Sequence, residues 1–218
     1  MDGGVRPVAV GDVFVKCAAH CAMVLIEDNM RHFFPSIQFG VRRAGGSETA
    51  AQLIRAALRQ STVTHSGLSI ALKIDFRNAF NCVSRKRIWE TLLKHKRAEP
   101  MLKAFYYQYC DPSPLLVFDG VDLFDELESS EGVRQGGPFA AFAFALVVQR
   151  LYERALEEAE RCKGVSDCNI VGPVTEVMAV YDYTLAHARE FGLELVPHKC
   201  QVFLPDEGGA MELSLIHI

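Results

Sequence analysis

Asp75 is the residue whose type and position first suggest chemistry. It follows a segment in which apolar residues recur at every second position, the period of a β-strand with one buried face. That face comprises Leu68, Ile70, Leu72, Ile74 and Phe76. Asp75 lies on the other face at the end of the strand, where a carboxylate on a rigid support is suited to hold a metal ion for phosphoryl transfer. The alternative is an N-cap for a following helix.

A second informative segment is the sequence EGVRQGGP at residues 131–138, which precedes a long apolar helical pattern. Other short motifs lie before and after it. They are Arg6-Pro7-Val8, QFGVRRAGG at residues 38–46, Asp75 with Phe80, Pro112-Ser-Pro with the Asp119-Gly120 hairpin, and Gly192-Leu-Glu-Leu-x-Pro-x-Lys199. In this order the motifs resemble the polymerase domain of a reverse transcriptase, nearest to those of non-LTR retrotransposons, from about Gly4 to about Pro205.

The resemblance implies an α+β fold, namely a polymerase palm in which an antiparallel sheet packs on helices, with partial fingers. On this basis we expect residues 1–66 to form part of the fingers and residues 67–205 the palm. Residues 206–218 are left unassigned. Within them, Met211 to Ile218 fit nothing in the family, and a read-through or assembly artefact is one explanation. We expect further finger motifs, the helical thumb and any endonuclease to lie outside this chain.

The resemblance also implies the chemistry of an RNA-directed DNA polymerase. Such an enzyme transfers nucleotides from dNTPs to the 3′-OH of a DNA primer on an RNA template, with two Mg²⁺ ions held by several carboxylates. Asp75 matches one metal ligand of the family, and Asp167 matches the second aspartate of its Tyr-x-Asp-Asp hairpin. Ser166 stands at the first aspartate, after a strand reduced to Gly164 and Val165. A neutral hydroxyl is a poor substitute for a bridging carboxylate, so we expect this copy to be impaired.

Further site residues follow from the same resemblance. Phe80 is expected to lie under the incoming sugar and exclude a 2′-OH, and Gln135 and Gly136 to contact the nucleotide and the template strand. Arg6 is expected near the triphosphate, and Lys199 to protonate the leaving pyrophosphate. Simpler interpretations stay open, namely core packing for Phe80 and solvent exposure for the two basic side chains.

Two other functions remain alternatives. One is a non-catalytic remnant of a reverse transcriptase, or a scaffold that binds nucleic acid weakly or not at all, which Ser166 favours. The other is an unrelated small-molecule enzyme, although the sequence contains no nucleotide-binding glycine fingerprint. Asp182 is not expected to replace the missing acid, because the apolar residues around it define the inward face of a helix that excludes it.

Composition limits the class of protein. The chain has 218 residues, 50% of them hydrophobic, with a net charge of −4, so we expect a globular protein without a strongly basic face. Local basic runs at residues 42–43, 85–87 and 94–97 are more simply solvated helix faces. No apolar run approaches the roughly 20 residues that span a bilayer, and no secretory signal is present. We expect a soluble intracellular protein, nuclear or cytoplasmic.

The seven cysteines of the chain contain no Cys-x-x-Cys pair. We expect them to be reduced thiols in the core.

Periodicity and punctuation predict the elements that position these residues. Helices are predicted over residues 13–32 with Asp12 as N-cap, from Ser47 to 59, after a Ser84 N-cap, over 101–109, from Pro138 and over 175–191. Strands are predicted over residues 67–76, 114–118, 121–124, 168–171 and 200–204.

Overall fold

The computed structural model describes residues 11–29, 33–34, 38–41, 44–64, 69–157, 159, 163–165, 168–204 and 214–217. Its helices are α1 Val13–Leu25, α2 Gly46–Thr64, α3 Ala79–Cys82, α4 Arg85–Lys94, α5 Glu99–Tyr109, α6 Ala140–Glu157 and α7 Val174–His187. Its strands are β1 Ser69–Lys73, β2 Ser113–Asp119, β3 Asp122–Ser129, β4 Lys163–Val165, β5 Asn169–Pro173, β6 Gln201–Leu204 and β7 Ser214–His217. The predicted mixture of helices and antiparallel strands, an α+β fold, is confirmed.

Contacts within the chain divide it into two compact units. The first comprises Met1–Phe33 and Asn78–Val147, and the second comprises Phe34–Arg77 and Val148–Ile218. The expected boundary between fingers and palm at residue 66 is a functional division, and it stays a prediction.

The second unit is built on a five-stranded sheet in the order β4-β5-β1-β6-β7. β1 is its central strand, and the predicted alternation is confirmed, since Ile70, Leu72 and Ile74 are no more than 3% exposed. The other face of β1 is covered at Ala71, which packs against α2. That cluster also contains Phe39, Ala50, Leu58 and Val171. The register of β1 is fixed because a one-residue slip would move the exposed Lys73 onto the buried face of Ile70 and Leu72.

The first unit contains α1, α3, α4, α5, the β2–β3 hairpin and the beginning of α6. Its helix starts follow from capping side chains. Asp12 Oδ1 accepts the N–H of Phe14 at 2.8 Å, and Ser84 Oγ accepts the N–H of Arg87 at 3.3 Å, so both predicted N-caps are confirmed. Every residue of α6 from Phe142 to Val148 is buried, as its uniformly apolar sequence predicts.

The β2–β3 hairpin is confirmed, with its turn one residue later than the Asp119-Gly120 signal indicates. Asp119 pairs with Asp122, which leaves Gly120 and Val121 as the two turn residues. Gly120 has a φ of +63°, as the first position of a type II′ turn requires. A bulge follows, because the register shifts between Val117 and Phe118.

Some sequence predictions are wrong in detail. α1 ends at Leu25 instead of near residue 32, because the polar segment Glu27–Asn29 forms a separate 3₁₀ turn. None of the cysteines among the described residues is in a disulfide, but four of them lie on exposed helix faces or turns instead of in the expected core. These are Cys17, Cys21, Cys82 and Cys110.

The strand β7 has no counterpart in the sequence analysis, which left its segment unassigned. It pairs antiparallel with β6, from Ser214 opposite Leu204 to His217 opposite Gln201. Four residues are too few for periodicity to separate a strand from other structures.

Candidate active site

Asp75 lies two residues beyond the last residue of β1, at a strand end held by backbone hydrogen bonds on two sides. On one side, the N–H of Ile74 donates to the carbonyl oxygen of Cys168 at 2.8 Å. On the other, the carbonyl oxygen of Asp75 accepts the N–H of Val196 at 2.9 Å, and the N–H of Arg77 donates to Glu194 at 2.8 Å. The Asp75 side chain is half-buried. A carboxylate is therefore fixed at the end of the central strand, as its position in the sequence predicts.

Cys200 supports the same strand end with its thiol. It is fully buried, and its Sγ accepts the N–H of Asp75 at 3.5 Å and donates to the carbonyl oxygen of Val196, also at 3.5 Å. Burial raises the pKa of the Cys200 thiol above its ordinary value. The hydrogen bond from the Asp75 N–H lowers this pKa in part, and the nearby Asp75 carboxylate raises it. The thiol is thus held in its neutral form as a packing group.

Lys199 lies in a 3₁₀ turn, Pro197–Lys199, directly after the residue bonded to Asp75. Its own N–H donates to the carbonyl oxygen of Val196 at 3.0 Å, and its side chain is exposed. The structure therefore brings the backbone that carries Lys199 next to the strand end that carries Asp75. Arg6, Ser166 and Asp167 lie outside the described residues.

The hairpin that would carry the second acid is short. β4 pairs with β5 in the register Val165 to Asn169, and only Ser166, Asp167 and Cys168 separate the paired residues in the sequence. Within the described residues β4 comprises Lys163–Val165, one residue more than the expected Gly164 and Val165, and its reduction relative to the family stays a prediction.

In the first unit the structure joins Phe80 to the segment before Gln135. The carbonyl oxygen of Phe80 accepts the N–H of Val133 at 2.6 Å, and the N–H of Gly132 donates to Val83 at 3.1 Å. The Phe80 ring is half-buried and lies 4.7 Å from the ring of Phe144, centroid to centroid. Packing on α6 therefore fixes the ring while leaving part of it exposed.

Gln135 and Gly136 are the two central residues of a tight turn. The N–H of Gly137 donates to the carbonyl oxygen of Arg134 at 3.0 Å, and Gly136 has a φ of +88°. A positive φ at the third residue defines a type II turn, which favours glycine there. Gly136 is exposed, so its backbone is open to a ligand.

A buried arginine holds the base of this turn segment. Arg85 is 8% exposed, and its guanidinium donates to the carbonyl oxygens of Gly132 and Ser129, both at 2.9 Å. It also lies 5.1 Å from the centroid of the Tyr109 ring. The interpretation of residues 85–87 as a solvated face is wrong for Arg85, because capping by Ser84 turns the first residue of α4 inward.

Tyr109 and Arg134 complete this cluster, and the sequence analysis does not identify either. Tyr109 accepts the N–H of Arg134 at its hydroxyl oxygen at 3.1 Å, and burial raises the pKa of Tyr109. The Arg134 guanidinium reaches Ser113 Oγ at 2.9 Å. Arg85, Tyr109 and Arg134 are more than 20 residues apart in the sequence and follow no helical or strand period, so only the fold shows that they lie together.

Asp75 is the one predicted metal ligand that the described residues include. Within them, no group of three or more His, Cys, Asp or Glu side chains is arranged to hold a metal ion. Asp182 is exposed on α7, whose buried side includes Val180, Tyr181 and Thr184, so the prediction that it faces away from the core is confirmed. Within the described part of the chain, no helix is long and apolar enough to cross a membrane.

Comparison with known proteins identifies the family. The sequence profile described as reverse transcriptase (RNA-dependent DNA polymerase) matches residues 2–212. The chain belongs to the reverse transcriptase family. The retrotransposable element SLACS 132 kDa protein of Trypanosoma brucei gambiense is 26% identical to this reverse transcriptase domain over 195 residues, which are 88% of this chain and 16% of the relative.

Solved structures confirm the fold. Apo telomerase from Candida tropicalis, truncated from the C-terminal domain, matches 93% of this chain with a TM-score of 0.57 and 12% identity. The telomerase of the same organism with a TWJ fragment of telomeric RNA matches 93% with a TM-score of 0.55 and 13% identity. The match covers 42% and 37% of those two telomerase chains, respectively. The reverse transcriptase fold is thus shared at very low identity.

Proposed function

We propose that this reverse transcriptase domain is built to transfer nucleotides from dNTPs to the 3′-OH of a DNA primer paired with an RNA template. The anchoring of Asp75 is the observation that supports the proposal. Its strand end is bonded to Cys168 through Ile74 and to Val196 directly, and Val196 begins the turn that contains Lys199. A carboxylate and a lysine on adjoining, rigid backbone segments match the positioning that phosphoryl transfer requires.

Asp75 and Asp167 are the residues that would hold Mg²⁺. Carboxylate oxygens are the ligands that Mg²⁺ prefers, and both backbone groups of Asp75 are already hydrogen-bonded, so its carboxylate is the group available to a ligand. When bound, the ions would stabilise charge on the reacting oxygens.

The other residues have roles that follow from their chemistry. The primer 3′-OH loses its proton to solvent as its oxygen bonds to the α-phosphorus and the bond to pyrophosphate breaks. Lys199 gives a proton to that pyrophosphate and regains one from solvent. Arg6 balances charge on the triphosphate. Phe80 packs against the sugar, where a 2′-OH would collide with its fixed ring, and the turn at Gln135 and Gly136 contacts the nucleotide and the template.

Ser166 weakens this site in our proposal. A serine supplies no charge where two divalent ions meet, so the metal ions would bind weakly and the reaction would be slow. The same residue favours the second candidate function, a reverse transcriptase remnant without catalysis that serves at most as a nucleic-acid-binding scaffold.

Primer extension separates the two functions. The assay uses a longer protein that also includes the expected finger and thumb segments, with dNTPs, Mg²⁺ and an RNA template annealed to a DNA primer. We expect no extension above background with Ser166 in place, measurable extension for Ser166→Asp, and loss of it in Ser166→Asp with Asp75→Ala. Asp182→Ala in place of Asp75→Ala is the matched control and should leave extension intact. Strong extension by the unaltered chain would contradict the impairment, and no extension by Ser166→Asp would support the remnant.

A further inference from the structure

The β2–β3 hairpin presents large apolar side chains to solvent. Alternation along β2 places Leu116 and Phe118 on one face, and the pairing places Leu123 opposite Phe118. Leu116, Phe118 and Leu123 are 52%, 57% and 57% exposed, and Phe124, unpaired at the bulge beside them, is 76% exposed. We call these four residues the hairpin patch. Exposed apolar patches of this kind mark interaction sites more often than scattered apolar residues do.

The hairpin patch is bordered by acids. Glu126 pairs with Leu116 and Glu128 with Pro114, so both carboxylates lie on the face that carries the patch. Residues 111–131 contain no Lys, Arg or His. Their acidic residues are Asp111, Asp119, Asp122, Asp125, Glu126, Glu128 and Glu131.

The hairpin is anchored at its base. Ser113 and Ser129 pair with each other at this base. Arg134 donates to Ser113 Oγ at 2.9 Å, and Arg85 donates to the Ser129 hydroxyl oxygen at 2.8 Å. A two-stranded hairpin in water is marginally stable, and a partner that covers one face stabilises it by burying apolar surface.

Charge selects among the possible occupants of the hairpin patch. A nucleic-acid backbone would bring phosphates against uncompensated carboxylates, and a second copy of this chain would bring the same carboxylates against each other. In a polypeptide with lysine or arginine between apolar side chains, the apolar side chains can pack on the hairpin patch and the basic side chains can pair with the carboxylates at its border. We propose that the hairpin patch docks such a basic, apolar protein segment of a partner.

The test uses a fluorescent synthetic peptide of alternating leucine and lysine as the probe. We expect anisotropy titration to show binding that weakens with salt, and hydrogen exchange of the bound chain to slow at residues 113–129. Leu123→Ser should weaken binding roughly fivefold to tenfold, because one leucine no longer buries its side chain. Leu93→Ser is the matched control, since Leu93 is 56% exposed on α4, and it should leave affinity unchanged.

Several outcomes would overturn the proposal. Equal affinity for the unaltered chain and Leu123→Ser, with circular dichroism showing both folded, would place the peptide elsewhere. Equal affinity for the leucine–lysine peptide and for a leucine–glutamate peptide would show that the carboxylates at the border of the patch do not select a basic segment. Protection of residues 113–129 by an RNA–DNA duplex, or dimerisation in sedimentation that Leu123→Ser abolishes, would assign the patch to nucleic acid or to a second copy. In a variant that combines Glu126→Gln with Glu128→Gln, the affinity for the leucine–lysine peptide should depend less on salt concentration. An unchanged salt dependence of this affinity would also count against the proposal.

Discussion

The N–H of Ile74 and the carbonyl oxygen of Cys168 are joined at 2.8 Å, which continues the antiparallel register of β1 and β5 one residue beyond Lys73 and Asn169. Asp75 follows Ile74, and Asp167 precedes Cys168. We therefore expect the metal affinity of this chain to depend on the short hairpin as much as on Asp75.

Gly136→Ala should destabilise the chain by about 1 kcal/mol, because alanine is strained at a φ of +88° even though the space around the glycine is open. Gly11→Ala is the control, since its new methyl group would meet only side-chain atoms at 3.8 Å. Urea unfolding of both variants measures the difference. Equal stability of the two variants would mean that the type II turn tolerates a side chain.

Arg85→Met should lower the free energy of unfolding by about 3 kcal/mol. It removes a buried guanidinium and leaves the carbonyl oxygens of Gly132 and Ser129 without their donor. Arg87→Met, two residues along α4, removes a partly exposed ion pair with Glu90 at 3.1 Å and should cost less than about 1 kcal/mol. Thermal and urea unfolding compare the pair. Similar losses in the two variants would contradict the anchoring role of Arg85.

Tyr109 should make the chain sensitive to alkali. Burial raises the pKa of Tyr109 above its ordinary value of about 10, so the unfolded state loses its proton first and stability falls as pH rises from about 10 through the folded-state pKa. Tyr109→Phe should lower the free energy of unfolding by about 1 kcal/mol at neutral pH, because the hydrogen bond from the Arg134 N–H is lost. This difference from the unaltered chain should become smaller in alkali, where the unaltered chain itself loses stability.

Unfolding free energies at pH about 8 and about 11 measure this effect. Tyr107→Phe is the control, because Tyr107 is 90% exposed. A cost for Tyr109→Phe that stays constant over this pH range would show that the Tyr109 hydroxyl titrates equally in the folded and unfolded chain.

Sequence patterns predict the parts of the fold that local rules determine. The alternation around Ile70 and Leu72, the caps Asp12 and Ser84 and the glycine at the hairpin turn each act over a few residues, and each is observed. The same patterns place Asp75 at a strand end. Lys199, whose turn joins that strand end through Val196, is predicted by the family resemblance and not by these local patterns.

What the sequence does not reveal is long-range. The burial of Arg85 depends on carbonyl groups more than 40 residues away, and the Cys200 thiol meets the N–H of Asp75 across 125 residues of chain. A basic run and a lone cysteine look the same in sequence whether they face solvent or the core. The tertiary partners decide between these outcomes, and they are known only once the strands are paired.

Calorimetric titration with Mg²⁺ tests the central claim, that the strand end at Asp75 is a metal-dependent nucleotidyl-transfer site weakened by Ser166. The titration compares the unaltered chain, Ser166→Asp, and Ser166→Asp combined with either Asp75→Asn or the control Asp182→Asn. We predict at least about tenfold tighter Mg²⁺ binding in Ser166→Asp, because it adds a hard anionic ligand. Asp75→Asn should abolish the gain and Asp182→Asn should not. Unchanged Mg²⁺ affinity in Ser166→Asp, or a gain that survives Asp75→Asn, would contradict the account.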